Sequence, residues 1–359
     1  MGKAWSNLQK LEGAVDVEGP DPLANCIQSS SPSVNWTFNN PGHGLPFGFS
    51  GILFGPPKGG KTPICGSIIG AHHQRNPESK VIVFNTELRG KIQSNIIQLN
   101  KFGIDKDRIK VFDVNKPKLI FDRIEFDIVN AIQEGEKIDF IIIDSLTGIA
   151  GRRFLDADTV DTMQRGDKAL TIQEGLLRIL PVIRQYNIAL LMTDHIRAEQ
   201  NTAEQMRGHA VRMASAFAAK HMAEYFMFVE PNQTKDGRVN LAGEEYVDKD
   251  VIDFMEKAQK TAHRIRFQIV GNSFGANGRT AEFTMDYDKG IVNQYEEVFT
   301  LACNMGVLGR PNNRTYTYKD QKFTSLLDCL TAIRDNKELY NDLLADVYAK
   351  DLKGVVHEK

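Results

Sequence analysis

Four short apolar runs punctuate the chain: ILF at 52–54, VIVF at 81–84, FIII at 140–143 closed by Asp144, and ALLMT at 189–193. Each is continuous rather than alternating, the pattern of parallel strands buried on both faces. Between them lie stretches with helical spacing of apolar residues, at 62–76, 90–102, 119–135 and 167–186. Strand and helix in alternation predict a doubly wound α/β core over roughly 30–230. A segment rich in Ser, Pro, Asn and Gly at 29–48 reads as turns feeding the first strand.

Two polar connections interrupt the alternation, at 151–166 and 197–208, and each follows the C-terminal end of a strand. That is the edge where open α/β sheets place their ligands. A charged segment at 231–262 follows, its second half helical by pattern. RIRFQIV (264–270) and RTAEFTMDY (279–287) read as strands joined by a Gly/Asn-rich turn, and the remainder as a small helical and hairpin region. The chain therefore divides into a short N-terminal segment, 1–28, with an apolar-periodic piece at Trp5, Leu8 and Leu11, a core at 29–288 and a C-terminal region at 289–359.

Composition narrows the function classes. With 359 residues, 42% hydrophobic and 25% charged, the chain is ordinary for a water-soluble globular protein. Its formal net charge of -2 provides no global basic field, so any polyanion site is a local patch. Cys26, Cys65, Cys303 and Cys329 lie far apart without Cys-x-x-Cys spacing, which argues against a zinc site or a disulfide scaffold. No apolar run approaches the ~18 residues that span a bilayer, and the N-terminus lacks a signal pattern. These features predict a soluble, cytoplasmic protein.

The chemistry concentrates after the first apolar run. Gly55-Pro56-Pro57-Lys58-Gly59-Gly60-Lys61-Thr62, followed by Pro63, matches the Gly-x-x-x-x-Gly-Lys-Thr phosphate loop in its strand-to-helix context. Glycines let backbone N–H groups face a β-phosphate, and Lys61 places a positive charge against the β and γ oxygens. Thr62 offers a hydroxyl to Mg²⁺, and the following helix turns its N-terminus to the phosphates. Asp144, at the end of the third run, is either a carboxylate that supports Mg²⁺ or a cap on the next helix. Glu87, three residues past the second run, either orients a water beside the γ-phosphate or is a first-turn helix acid. His195 either contacts the γ-phosphate or is a satisfied loop histidine, and Asp194 beside it caps a turn or joins the same network.

The two connections are modestly basic. Arg152, Arg153 and Arg165 lie on or beside the first, Arg197 and Arg207 on the second, with His209 and Arg212 just beyond. Basic loops are commonly just solvated, but two on the edge of a nucleotide site fit a polyanion held along it. Phe154 is the one aromatic among them, so phosphate contacts are expected over base stacking.

These segments resemble the RecA-type recombinases, and within them the phage UvsX-type branch, from about Ile27 to Val347. GLPFGFSGILFGPPKGGKT (44–62) resembles the strand and phosphate loop, and HQRNPESKVIVFNTELRG (73–90) the second strand with its catalytic Glu. LNKFGIDKDRIKVFDV (99–114) and AIQEGEKIDFIIIDSLTGIA (131–150) resemble the approach to the metal-linked Asp and its site. ALLMTDHIRAEQ (189–200) with RGHAVRMAS (207–215) resembles the γ-phosphate sensor and second DNA-binding loop. AEFTMDYDKGIVNQYEEVFTLACNMGVL (281–308) and TYTYKDQKF (315–323) resemble the end of the core and the start of the C-terminal region.

The resemblance implies a RecA-like ATPase core with a small C-terminal α+β region, using ATP and Mg²⁺. It implies Lys61 and Thr62 at phosphate and Mg²⁺, Asp144 at the metal, Glu87 as general base, and His195 as the sensor characteristic of the phage-type branch. DNA would lie on the loops near 151–166 and 197–209. Single-stranded and duplex DNA, copies of the same chain in a helical filament, and mediator and single-strand-binding proteins would be the partners, in the nucleoid or a phage-infected host. The chain departs from the bacterial pattern at Gly271 and Ser273, where a Lys-x-Lys pair would reach the neighbouring subunit's γ-phosphate, unless Arg264, Arg266 or Arg279 substitutes. Two other functions fit the same residues: a ring-forming helicase or loader, and a non-catalytic mediator that binds nucleotide and DNA.

Overall fold

Phe140 and Ile142 face one side of a strand and Ile141 and Ile143 the other, and all four are essentially inaccessible to solvent. That strand is central to the computed structural model, which describes residues 20–57, 59–88, 102–152, 155, 166–198, 211–215, 219, 221–232, 238–239, 262–286 and 289–355. The expectations at Trp5, Leu8 and Leu11, most of 90–102, Lys58, Arg153, Phe154, Arg165, Arg207, His209 and most of the 231–262 segment fall outside the described residues.

A small antiparallel pair, β1 (Cys26–Ile27) and β2 (Leu45–Pro46), encloses helix α1 (Pro32–Thr37). The main sheet then forms from β3 (Ser50–Gly55), β4 (Lys80–Asn85), β5 (Ile109–Asp113), β6 (Ile138–Asp144), β7 (Ala189–Ala198) and β9 (Tyr225–Pro231), all mutually parallel in the order β9-β3-β7-β6-β4-β5. β8 (Val211–Met213) pairs antiparallel with the end of β7. Beyond β9 the sheet turns antiparallel through β11 (Ala262–Asn272), β12 (Thr280–Asp286) and β13 (Gly290–Val292), with β10 (Arg238–Val239) against the start of β11.

Helices cover both faces, which is why the parallel strands read as continuous apolar runs. α2 (Lys61–Arg75) lays Ile64 and Ile69 onto the side of Leu53, Val81, Phe140 and Leu191. α2 also approaches its neighbour closely: a Cβ on Gly70 would lie 1.9 Å from the Phe102 carbonyl oxygen. On the other face lie α3 (Pro117–Asp122), a π-helical segment Arg123–Ile128, α4 (Val129–Gln133) and α5 (Asp167–Gln185). They bury Ile120, Ile172, Leu176 and Ile179 against Ile52, Ile82, Ile141 and Met192. Among the described residues, no helix is long and apolar enough to cross a membrane. All four cysteines are unbridged.

The C-terminal region packs α6 (Gln294–Asn304), α7 (Leu326–Asp335) and α8 (Lys337–Val355) with the hairpin β14 (Tyr316–Tyr318) and β15 (Gln321–Phe323) around its own apolar cluster. Polar contacts join it to the core, two of them clasps built on a buried or half-buried charge. Arg279, at the start of β12, donates to Trp36 O at 3.1 Å and Asp351 Oδ2 at 2.7 Å, and its guanidinium stacks over the Trp36 ring. Glu297 is buried and takes Ser31 Oγ at 2.5 Å and Ser33 N at 3.0 Å on one carboxylate oxygen. Its other oxygen meets no hydrogen-bond partner among the described residues.

Burial pushes the Glu297 carboxyl up from 4.5 to about 8, against the opposing pull of the Ser31 and Ser33 donors. A carboxyl whose folded pKa is raised holds its proton in the folded state and loses it in the unfolded state. Stability therefore falls as pH rises from about 4.5 to about 8 and is level above that window. Glu297→Gln, which cannot ionise, should flatten this part of the pH dependence. Melting temperatures at pH 5.5 and 8.5 for both proteins check it. An equal drop in the two would show that Glu297 is already ionised in the folded protein.

Candidate functional site

Four adjacent parallel strands, β3, β7, β6 and β4, bring the predicted residues to one edge. Register fixes their levels: Gly55 lies opposite His195, Leu53 opposite Thr193, and Asn85 opposite Asp144. The backbone at Gly55 runs so close to β9 that a Cβ would lie 2.1 Å from Val229 O. Gly60 takes φ +94, in the left-handed region, as the cap that turns the loop into α2, and a Cβ there would press on Ile265 Cδ1 at 2.6 Å. Pro56 and Gly59 close the loop, with Gly59 N donating to Pro56 O at 3.0 Å, while Pro57 is exposed and Pro63 lies in the first turn of α2.

Lys61 is buried inside the loop it belongs to, its Nζ donating to Gly55 O at 3.0 Å and Pro56 O at 2.8 Å. Burial holds its ammonium below the ordinary lysine range, partly offset by the negative charges of Asp144, Glu87 and Asp194. The loop carbonyls thus occupy a cation that a phosphate would bind more strongly. Asp144 sits between two hydroxyls, accepting from Thr62 Oγ1 at 2.8 Å and Thr193 Oγ1 at 2.5 Å. Among the described residues no cluster of three or more His, Cys, Asp or Glu forms a metal cage. One carboxylate beside one hydroxyl suits Mg²⁺, a hard ion that fills most of its shell with phosphate and water. The donor set fits that ion.

Glu87 and His195 meet directly, with Oε1 2.5 Å from Nε2. The same Glu87 oxygen accepts from Ser145 Oγ at 2.9 Å. Asp194 faces away from this pair and is fully buried. It accepts from His195 N at 2.9 Å, Ser215 N at 3.0 Å and Ser215 Oγ at 2.6 Å. Burial raises its carboxyl above the usual range, against those three donors. It therefore resolves into a staple, tying β7 to the return strand β8 at the root of the second connection. Asp194→Ala strands the buried Ser215 N–H and the half-buried His195 N–H, so a loss of about 2–3 kcal/mol is expected in urea unfolding. A loss below 0.5 kcal/mol, on the order of a surface substitution, would contradict the staple.

The basic residues are brought together less completely. Arg152, at the root of the first connection, is exposed but pairs with Glu174 at 2.8 Å. Arg197 lies on β7 opposite Arg212 on β8, so the two stems of the second connection pair antiparallel, one of them on the strand that carries His195. Of the arginines suggested as replacements for the missing lysine pair, Arg264 and Arg266 do not stand where that pair would, and Arg279, which lies level with Ile269, is committed elsewhere. β11 runs antiparallel, so Arg264 and Arg266 lie toward the phosphate-loop edge, whereas Gly271 and Ser273 lie at the opposite one, where Ser273 N meets Glu224 O beside Ser50. Arg266 faces Glu230, and Arg279 is held in the C-terminal clasp. Arg184 does stand at that opposite edge, paired with Glu224 at 2.8 Å.

Three partners escaped the sequence reading. Thr193 and Ser145 each border an apolar run or its closing acid, a polar ending that marks a strand's ligand edge. Ser215 left no signal, because its contact with Asp194 spans 21 residues.

No family model matches the chain. The chain is 21% identical over 301 residues to Protein RecA of Wolbachia sp. subsp. Drosophila simulans (strain wRi), covering 84% of this chain and 75% of that protein. It is also 21% identical over 308 residues to Protein RecA of Wolbachia pipientis subsp. Culex pipiens (strain wPip), covering 81% and 76%. This distant similarity spans most of the chain, and the large, mostly parallel sheet flanked by helices agrees with a RecA-like α/β core.

Proposed function

We propose that the protein is a DNA-dependent ATPase that forms filaments on single-stranded DNA and promotes homologous pairing and strand exchange. One observation carries this: Glu87 and His195 touch at the nucleotide edge, and the strand bearing His195 continues into the basic second connection. Nucleotide and polyanion would thus act on the same strand. The distant likeness to RecA proteins supports the same class.

In the proposed cycle the loop at 55–62 and the N-terminus of α2 bind the ATP phosphates. Lys61 exchanges the Gly55 and Pro56 carbonyls for phosphate oxygens. Thr62 and Asp144 are the residues that would hold Mg²⁺, whose charge, when bound, offsets that of the β and γ oxygens. Glu87 takes the proton of the attacking water while the water oxygen bonds to the γ-phosphorus and ADP leaves. His195, parted from Glu87 by the γ-phosphate, would order the paired strands β7 and β8 for DNA. Arg152, Arg153, Arg165, Arg197, Arg207, His209 and Arg212 would meet its backbone, and contacts of this kind are sequence-independent. The histidine at the sensor position favours the phage UvsX-type branch, a reading under which the protein would work in the nucleoid or in the cytoplasm of an infected host.

The test is strand exchange between a circular single strand and its homologous linear duplex, with ATP and Mg²⁺. Joint molecules that require ATP and homology are expected. Their absence, with ATP-dependent DNA binding intact, would favour a nucleotide-switched mediator instead. Gly271 lends that second possibility weight: a Cβ there would lie 2.7 Å from the Phe226 ring, so the position does not readily accept the missing lysine.

A further inference from the structure

Ser145 has a single hydroxyl proton and spends it on Glu87 Oε1. The 2.8 Å contact between Ser145 Oγ and Thr147 Oγ1 therefore has Thr147 as its donor. The carbonyl of Thr147 in turn accepts from Lys168 Nζ. Lys168 is in the first turn of α5, where the first connection re-enters the fold. Both stems of that connection converge there. A Cβ on Gly151 would lie 2.2 Å from Asp167 Oδ2, Arg152 N donates to Thr171 Oγ1 at 3.2 Å, and the Arg152 guanidinium pairs with Glu174. Lys168 is half-buried, and burial lowers its pKa; the charge of Arg197, on the stem of the second connection, adds to that effect while Asp194 opposes it.

We propose that Lys168 is a positioning residue that couples Glu87, through Thr147 and Ser145, to a phosphate of a polyanion held beside Arg197 at the stem of the second connection. The proposal rests on the ATPase and DNA-binding function proposed above. A phosphate beside Arg197 would cancel a positive charge that acts on Lys168, and would so change how firmly its ammonium holds Thr147 O. Any displacement of Thr147 moves the hydroxyl that orients Ser145. Ser145 then holds or releases Glu87 Oε1, the same oxygen that His195 contacts. The carboxylate would so be set from two sides, by the second connection through His195 and by the first through Lys168.

The full-length chain is assayed for steady-state ATP hydrolysis and for binding of an oligothymidylate strand, as wild type, Lys168→Met, Lys168→Arg, Thr147→Val and the Lys168→Met/Thr147→Val double variant. For Lys168→Met, kcat with oligothymidylate should fall about tenfold while KM for ATP stays within about 3-fold, the signature of an interaction used beyond the ground state. Affinity for the strand should also stay within about 3-fold, because Lys168 is directed at Thr147 and the phosphate contacts lie elsewhere. Lys168→Arg, which keeps a cationic donor, should recover most of the rate. Thr147→Val should resemble Lys168→Met, and the double variant should be no slower than either, since both cut one relay. Unchanged kcat, a parallel loss of strand affinity, or additive effects in the double variant would overturn the coupling. If wild type itself is not stimulated by the strand, it is the proposed function that fails, and the coupling falls with it.

Discussion

Glu87→Gln is expected to slow ATP turnover by about 10²–10⁴-fold, the usual contribution of a positioned general base, while ATP-dependent DNA binding persists. Glutamine keeps an acceptor for Ser145 Oγ and a polar group for His195 Nε2, so the geometry around Oε1 can survive. What it loses is the ability to take a proton from water. Glu87 spans a short bridge between the nucleotide edge and the strand that bears the second connection, so the substitution separates chemistry from signalling. Phosphate release and fluorescence anisotropy of a labelled single strand, on the same preparation, measure the two. Turnover within a few-fold of wild type would exclude Glu87 as the base. Loss of DNA binding along with turnover would instead assign Glu87 a structural role.

Lys61→Met should reduce kcat/KM for ATP by about 10²–10³-fold, the scale of removing one preorganised donor from a transferring charge. Its effect on the ligand-free protein should be opposite to that of an ordinary core substitution. The Lys61 ammonium is already buried against two carbonyls and held below its ordinary pKa. Replacing it with an apolar chain of similar length removes that desolvation cost, so the melting temperature without ATP should hold or rise. Wild type should gain stability from ATP with Mg²⁺ by mass action, by about 2.7 kcal/mol at a hundredfold excess over Kd. Lys61→Met should gain almost none. A variant that melts higher with ATP by as much as wild type does would remove Lys61 from the phosphate site.

The parallel half of the sheet was legible because double-sided burial leaves unbroken apolar runs, and β3, β4, β6 and β7 all carry one. β5 (Ile109–Asp113) was not, since it is the edge strand and only Ile109 is fully buried, which leaves no apolar run to recognise. β9 lies in a segment the helix-and-strand alternation left unassigned, though it pairs with β3 and begins the antiparallel half. The phosphate loop, Glu87, Asp144 and His195 were legible because each stands at or just after the end of such a run. Their mutual arrangement was not. Nothing in the order of residues says that Glu87 meets His195 across 108 positions, or that Arg279 is committed to Asp351 across 72. Those are consequences of strand order, and strand order is set by long-range packing.

In the proposed function one edge of the sheet joins ATP to single-stranded DNA. ATP hydrolysis with and without single-stranded DNA, with electron microscopy of the same samples, tests it most directly. DNA-stimulated turnover accompanied by helical filaments is the expected result. ATP-dependent binding without stimulated turnover or filaments would contradict it, and would make the nucleotide a structural switch.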